Sequence, residues 1–183
     1  MKIGVISDTH GNLSAFDKAL EAFSDCELII HCGDILAPGP KNPIPEGYNP
    51  PGLAERINSL SMPLLIAKGN CDSEVDSVLL KPPIFPFIFL QDEKTRIIAS
   101  HLPIDPLQFK ADILITGHTH IPGIEERDGI IYLNPGSPSV PLSPAKIPTY
   151  AIIDDKITIY SLSKEVIVQL KPNILVDEKM DKT

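Results

Sequence analysis

Seven side chains of metal-ligating type follow five apolar runs in this sequence. Asp8 and His10 stand in "SDTHGN" after "KIGVI", and Asp34 stands in "HCGD" after "ELIIH". Asn70 stands in "GNCD" after "PLLIA", His101 follows "TRIIAS", and His118 and His120 stand in "GHTH" after "DILIT". Four imidazoles, two carboxylates and one amide exceed what a single four-coordinate ion needs. With one carboxylate bridging, the set divides into two sites of four ligands each. Oxygen mixed with imidazole suits Mn, Fe, Zn, Ni or Co and disfavours Mg or Ca, which prefer all-oxygen shells. Two ions about 3.5–4 Å apart clamp the attacking and leaving oxygens of an in-line displacement at phosphorus. Each residue alone is an ordinary turn former, cap or strand-end polar group. Their conjunction is the signal.

Strands must carry these residues to one place, and the pattern supplies them. Short buried strands are expected at 2–6, 27–31, 63–67, 95–100 and 112–116. In open α/β sheets the loops beyond the carboxyl ends of the strands converge on one crevice. Between the first two strands, Leu13, Phe16, Leu20 and Phe23 give a helical stripe, with Ser14 and Asp17 spaced as a capping box. Asn49 is positioned to cap a second helix whose first turn holds Pro50 and whose stripe is Leu53, Ile57 and Leu60. "SEVDSVLL" suggests a short third helix, with Asp72 as its expected cap.

Strands dominate the second half. "IFPFIFL" is an edge strand with an internal proline, and "GIEERDGIIYLN" is a hairpin on an Asp128-Gly129 turn. "TYAIIDDKITIYSL" is a second hairpin, followed by a last strand in "EVIVQL". The order βαβαβ followed by antiparallel strands predicts an α/β (α+β) fold, a four-layer αββα sandwich of two mixed sheets with helices outside. Residues 1–171 are expected to form one domain and 172–183 a polar tail. The proline- and glycine-rich excursion 36–51 is expected to rim the active site or to form a contact in a homo-oligomer.

Composition narrows the partners. A formal net charge of -8 and the absence of tryptophan oppose a long nucleic acid, whose phosphates need clustered Lys and Arg. A small anionic substrate remains compatible where metal ions supply local positive charge. Three cysteines, Cys26, Cys32 and Cys71, form no CxxC and favour free thiols in a reducing compartment, hence a cytoplasmic protein. No apolar run approaches the ~20 residues that span a bilayer.

The motifs "DTH", "GD", "GNCD", the isolated His101, "GHTH" and "NPGS" resemble, in order and spacing, those of the calcineurin-like metallophosphoesterases. The resemblance covers residues 1–160, and within the family it looks most like the YfcE-type bacterial phosphodiesterases, whose wording "GPKNPIPEGYNP" and "GNCDSEVDS" shares. It implies a two-sheet fold, a dinuclear centre with Mn2+ as a common activator, and hydrolysis of small phosphodiesters by a metal-bound hydroxide. Carried over motif by motif, Asp8, His10 and His120 would bind one ion. Asn70, His101 and His118 would bind the second, and Asp34 would bridge.

Two departures from the family pattern matter. Relatives commonly carry a histidine after the GN asparagine, where this chain has Cys71, as the YfcE-type subgroup does. A neutral thiol is a weak donor, so Cys71 is expected to be a wall residue in contact with substrate, not a nucleophile. Relatives often show His-Gly-His where this chain reads His101-Leu102-Pro103. His31 is expected in the core or behind the ligands, and Asn134 in its own loop. The rival readings are a protein-binding scaffold like Vps29, which resembles this fold, and a nuclease of the same superfamily.

Overall fold

Alternation along four-residue strands decides the architecture. In β1 (Ile3–Ile6), Ile3 and Val5 face one core while Ile6 faces another. The same division runs through β2 (Leu28–His31), where Leu28 and Ile30 oppose Ile29, and through β3 (Leu64–Ala67). Strands apolar on both faces must be covered on both. The computed structural model describes residues 1–92 and 95–175.

Helix α1 (Leu13–Ala22) and helix α2 (Pro50–Asn58) cover the outer face of the first sheet with Phe16, Ala19, Leu53 and Ile57. Asn49 caps α2 through the Gly52 amide, as its spacing with Pro50 predicts. The expected capping box on α1 does not form. Asn12 is the cap, accepting from the Ala15 amide at 3.0 Å, while Asp17 pairs with Arg56 at 2.7 Å. Asn12 wins because it leaves β1's loop with extended backbone, two residues ahead of Ser14. A one-turn helix α3 (Asp76–Leu79) follows β3.

The segment expected as one proline-broken strand is two strands in different sheets. β4 (Ile84–Phe85) pairs parallel with β3, and β5 (Ile88–Gln91) pairs antiparallel with β6 (Arg96–Ser100). Pro86 sits at the step, where its missing N–H breaks neither ladder. The chain continues through β7 (Ile113–Thr116), then the hairpin of β8 (Gly123–Arg127) and β9 (Ile130–Asn134). Its turn residues Asp128 and Gly129 have φ of 53° and 76°, the geometry a two-residue hairpin needs. Strands β10 (Thr149–Ile153), β11 (Ile157–Ser161) and β12 (Val166–Leu170) return to the first sheet.

The first sheet has the order β12-β11-β10-β1-β2-β3-β4 and the second β5-β6-β7-β9-β8. Between them lies a core built from Val5, Ile30, Ala99, Ile113, Ile115 and Ile159. Over the second sheet the outer layer is thin: a 3-10 turn, Pro106–Phe109, packs Phe109 near Ile98 and Leu114. Ile174 and Leu175 pack on the central core, and 176–183 of the expected tail lie outside the described residues. Among the described residues no helix is long and apolar enough to cross a membrane.

Candidate metal centre

Parallel register brings the loops together. Ile6 pairs with His31 and His31 with Ile66, so β1, β2 and β3 end level with one another. Ser100 pairs with Thr116, so β6 and β7 do the same in the second sheet. All seven candidate residues lie in the turns just beyond these ends. The Asp8 amide bonds the Gly33 carbonyl and the His10 amide bonds the Asp34 carbonyl, both at 3.0 Å, lacing the first two turns. Gly33 and Gly69 let the second and third turns touch, since a Cβ on Gly33 would collide with the Gly69 backbone nitrogen.

Five of the seven turn back sharply. Asp8, His10, Asp34, His118 and His120 have φ of 57°, 45°, 57°, 68° and 56°. A non-glycine residue there costs roughly 1 kcal/mol or more, and such strain concentrates at functional sites.

The seven fall into two constellations. In the first, His120 Nε2 lies 3.2 Å from Asp8 Oδ1 and 3.2 Å from His10 Nε2. In the second, Asn70 Oδ1 lies 2.9 Å from His101 Nε2 and 2.8 Å from His118 Nδ1. Asp34 stands between them, its Oδ2 3.5 Å from His101 Nε2 and 3.9 Å from His10 Nε2.

The ring tautomers follow from the backbone. His10, His101 and His120 each place Nδ1 on a carbonyl oxygen, of Ala37 at 2.8 Å, Cys32 at 2.8 Å and Val140 at 2.6 Å. A carbonyl only accepts, so Nδ1 carries the proton. A neutral ring then aims its Nε2 lone pair inward, at other acceptors. Asp8 Oδ1 is buried there with no hydrogen-bond donor. Acceptors facing acceptors in a buried pocket call for positive charge between them. Asp8, His10, Asp34, His101 and His120 are all buried. Three rings fixed by backbone carbonyls, with carboxylate and amide oxygens opposite, fit a divalent metal of borderline softness.

Charges in the first constellation respond to one another. Burial alone would raise the Asp8 carboxyl, but the adjoining His120 imidazole, with Ser7, outweighs it and holds it below the usual range. Burial would lower the His120 imidazole, and Asp8 more than reverses this, holding it above its ordinary value.

Cys71 is half-buried beside the centre, where Sγ accepts from Asn70 Nδ2 at 3.2 Å and its amide donates to Asp34 Oδ1 at 2.7 Å. Burial and then the neighbouring carboxylates, Asp34 foremost, push its thiol up to about 12. Gly39 of the proline-rich excursion packs directly on Sγ. That excursion rims the centre, because Ala37 and Asn42 both reach His10.

Asp72 does not cap α3. Its carboxylate accepts from the amides of Asp34 at 2.9 Å, Ile35 at 2.8 Å and Gly69 at 2.7 Å, while Asp76 accepts from the Ser73 amide. The three bonds tie the turn bearing Asp34 to the turn before Asn70. Also unforeseen are Ser7, which donates to Asp8 Oδ2 at 2.6 Å, Ser137, which donates to the Asp8 carbonyl at 2.8 Å, and Asn42. Ser137 and Asn42 have partners 129 and 32 residues away, set by the fold, whereas Ser7 bonds its own neighbour. His31 is buried behind the site on Thr9. Asn134 accepts from the Gly136 amide in its own loop but also donates to the Gly117 carbonyl and the Thr119 hydroxyl of the turn that carries His118 and His120.

The comparisons with known proteins agree. A family model, the calcineurin-like phosphoesterase superfamily domain, matches residues 1–156. Phosphodiesterase YfcE of Escherichia coli (strain K12) is 38% identical over 179 residues, covering 92% of this chain and 96% of that protein. A solved structure of E. coli YfcE, described as a phosphoesterase, superposes with a TM-score of 0.86 at 36% identity, over 94% of this chain and 100% of that one. Vps29 of Chaetomium thermophilum superposes with a TM-score of 0.66 at 15% identity, a likeness of fold alone. With the family model spanning most of its length and the site geometry at its strand ends, this chain belongs to the calcineurin-like phosphoesterase superfamily.

Proposed function

We propose that the protein is a metal-dependent phosphodiesterase that hydrolyses small phosphodiesters at a dinuclear centre, residues 1–171 acting as one domain. The carrying observation is the pair of constellations joined by Asp34, with three imidazoles aiming unprotonated Nε2 atoms at oxygens. The similarity to YfcE, itself named a phosphodiesterase, supports the same reading.

Asp8, His10 and His120 would hold one ion, Asn70, His101 and His118 the other, and Asp34 would bridge them. Two divalent ions, with Mn2+ expected first and Fe, Zn, Ni or Co as alternatives, would supply acidification of water near neutral pH and Lewis acidity toward phosphoryl oxygens. The carbonyls of Ala37, Cys32 and Val140 fix the imidazoles as inward-facing bases. Asp72 holds Asp34 and Gly69 in register. Cys71 lines the wall beside Asn70 and Asp34, and a thiol is only a weak donor. Leaving groups that need little protonation, such as aryl oxides, are therefore preferred. Unpaired Cys26, Cys32 and Cys71 support a reducing, cytoplasmic setting.

Turnover of bis(4-nitrophenyl) phosphate with added Mn2+ tests the proposal, with Asp34→Asn expected to abolish it. Inert protein that binds two ions would favour a scaffold of the Vps29 kind. Cleavage of DNA or RNA with steep salt dependence would favour a nuclease, against which the net charge of -8 weighs.

A further inference from the structure

A cavity of about 310 Å³ opens beside the second constellation, and Asn70 and His101 form part of its wall. Its other walls include Pro86, Leu102 and Ile104, with Lys68 as the one charged side chain. The volume lies at the small end of ligand pockets, enough for a ring and its substituents and too little for a stretch of polymer. Leu102 is half-exposed, so its side chain is offered to an occupant and not spent on the core. Among the described residues the Lys68 ammonium has no carboxylate partner, in a chain of net charge -8.

We propose that this cavity is the subsite for one ester arm of the substrate, an apolar ring-sized group carrying an anionic substituent toward Lys68. The inference rests on the phosphodiesterase reading above. A phosphodiester bound at Asn70 and His101 must direct one of its two arms away from the first constellation, and the cavity begins at those same two residues. Pro86, Leu102 and Ile104 then contact the ring. Leu102 is a specificity-determining residue in this arrangement, and Lys68 selects the substituent.

Phosphinates test it, because their carbon–phosphorus bonds mimic both arms of a diester and are not hydrolysed. Binding of dimethylphosphinate, diphenylphosphinate and bis(4-carboxyphenyl)phosphinate to the Mn2+-loaded protein is measured by calorimetry. The wild type is expected to prefer the diphenyl over the dimethyl compound. Leu102→Ala should lower that preference about tenfold, the scale of lost apolar contact in a pocket. Lys68→Gln should lower the added preference for the carboxylated compound about threefold, the scale of an exposed ion pair. Equal binding of the diphenyl and dimethyl compounds by the wild type, or equal weakening of both by Leu102→Ala, would overturn the subsite. If bis(4-nitrophenyl) phosphate is still hydrolysed in that event, only the subsite falls. If no phosphinate binds and no diester is turned over, the phosphodiesterase reading falls with it.

Discussion

His10 Nε2 and His120 Nε2 lie 3.2 Å apart, although each ring already donates its Nδ1 proton to a backbone carbonyl. Two lone pairs cannot satisfy each other, and Asn42 Nδ2, 3.2 Å away, reaches only the His10 side, so a proton or a metal ion must neutralise the His120 side of the contact. Asp8 holds the His120 imidazole above its ordinary value of 6.5, which makes the proton a strong competitor near neutrality. Mn2+ affinity is therefore expected to rise as pH increases from about 6 to 8, with protons released on binding. Calorimetry in buffers of different ionisation enthalpy measures both, and pH-independent affinity without proton release would contradict the assignment.

Asp72 joins two turns through three amides. In Asp72→Asn one oxygen becomes an NH2 facing backbone donors. Mn2+ affinity is expected to fall about 10–100-fold, the usual consequence of losing a support behind the ligands. Stability should fall by roughly 1–3 kcal/mol from the stranded amides. Equilibrium dialysis and denaturant melts read the two effects separately, and retention of wild-type metal affinity would remove Asp72 from any positioning role.

Cys71→His replaces a neutral thiol with an imidazole that donates and accepts protons. Hydrolysis of alkyl diesters should gain most, about 10²-fold if the ring acts as a general acid, and the dependence of rate on leaving-group acidity should flatten. Gly39 packs on Sγ, so the larger ring must displace the excursion or point toward substrate. A rate lowered equally for aryl and alkyl esters would show that the thiol only fills space and that the ring does not reach the leaving group.

His31 is buried with a fixed tautomer: the Gly33 amide donates to Nδ1 at 3.1 Å, Nε2 donates to Thr9 Oγ1 at 3.0 Å, and Thr9 donates to the Ile35 carbonyl. Burial pushes its imidazole down from 6.5 to about 3. Below 6.5 the unfolded chain binds this proton and the folded chain does not until about 3. The group's stabilisation is therefore complete above 6.5 and is lost as pH falls toward 3. Between pH 6.5 and 5 that loss is about 2 kcal/mol. His31→Leu should be destabilised at pH 7.5, with the gap to wild type narrowing at pH 5 in urea melts. A constant gap would mean that His31 protonates freely in the folded state.

Residues that announce themselves locally were legible in the sequence. Asn49 before Pro50, the Asp128-Gly129 turn and ligand-type residues after apolar runs all carry signals within a few positions. Asp72 and Asn42 do not, because two of the three amides on Asp72 lie 37 and 38 residues away and the partner of Asn42 lies 32 away. Asp72 is also spaced correctly for a cap, so the local rule points to the wrong bond. Ser14 fails in the same way, since Asn12 precedes it and takes the cap. Pro86 was readable as an interruption, but not as the step between two sheets. That outcome depends on β3 and β6 each offering an edge, which only the assembled fold reveals.

The central placement of β1 has a consequence for biosynthesis. Ile3 pairs with Leu28 on one side and with Ile153 on the other. A ribosome thus delivers the first partner early and the second only after the whole second sheet has emerged. Until then β1 presents an unpaired rim to the surroundings, the template on which foreign chains add. Closure over so long a separation is slow. Nascent chains arrested before Thr149 are expected to recruit a holdase or to clump, whereas those extended past Ser161 should not.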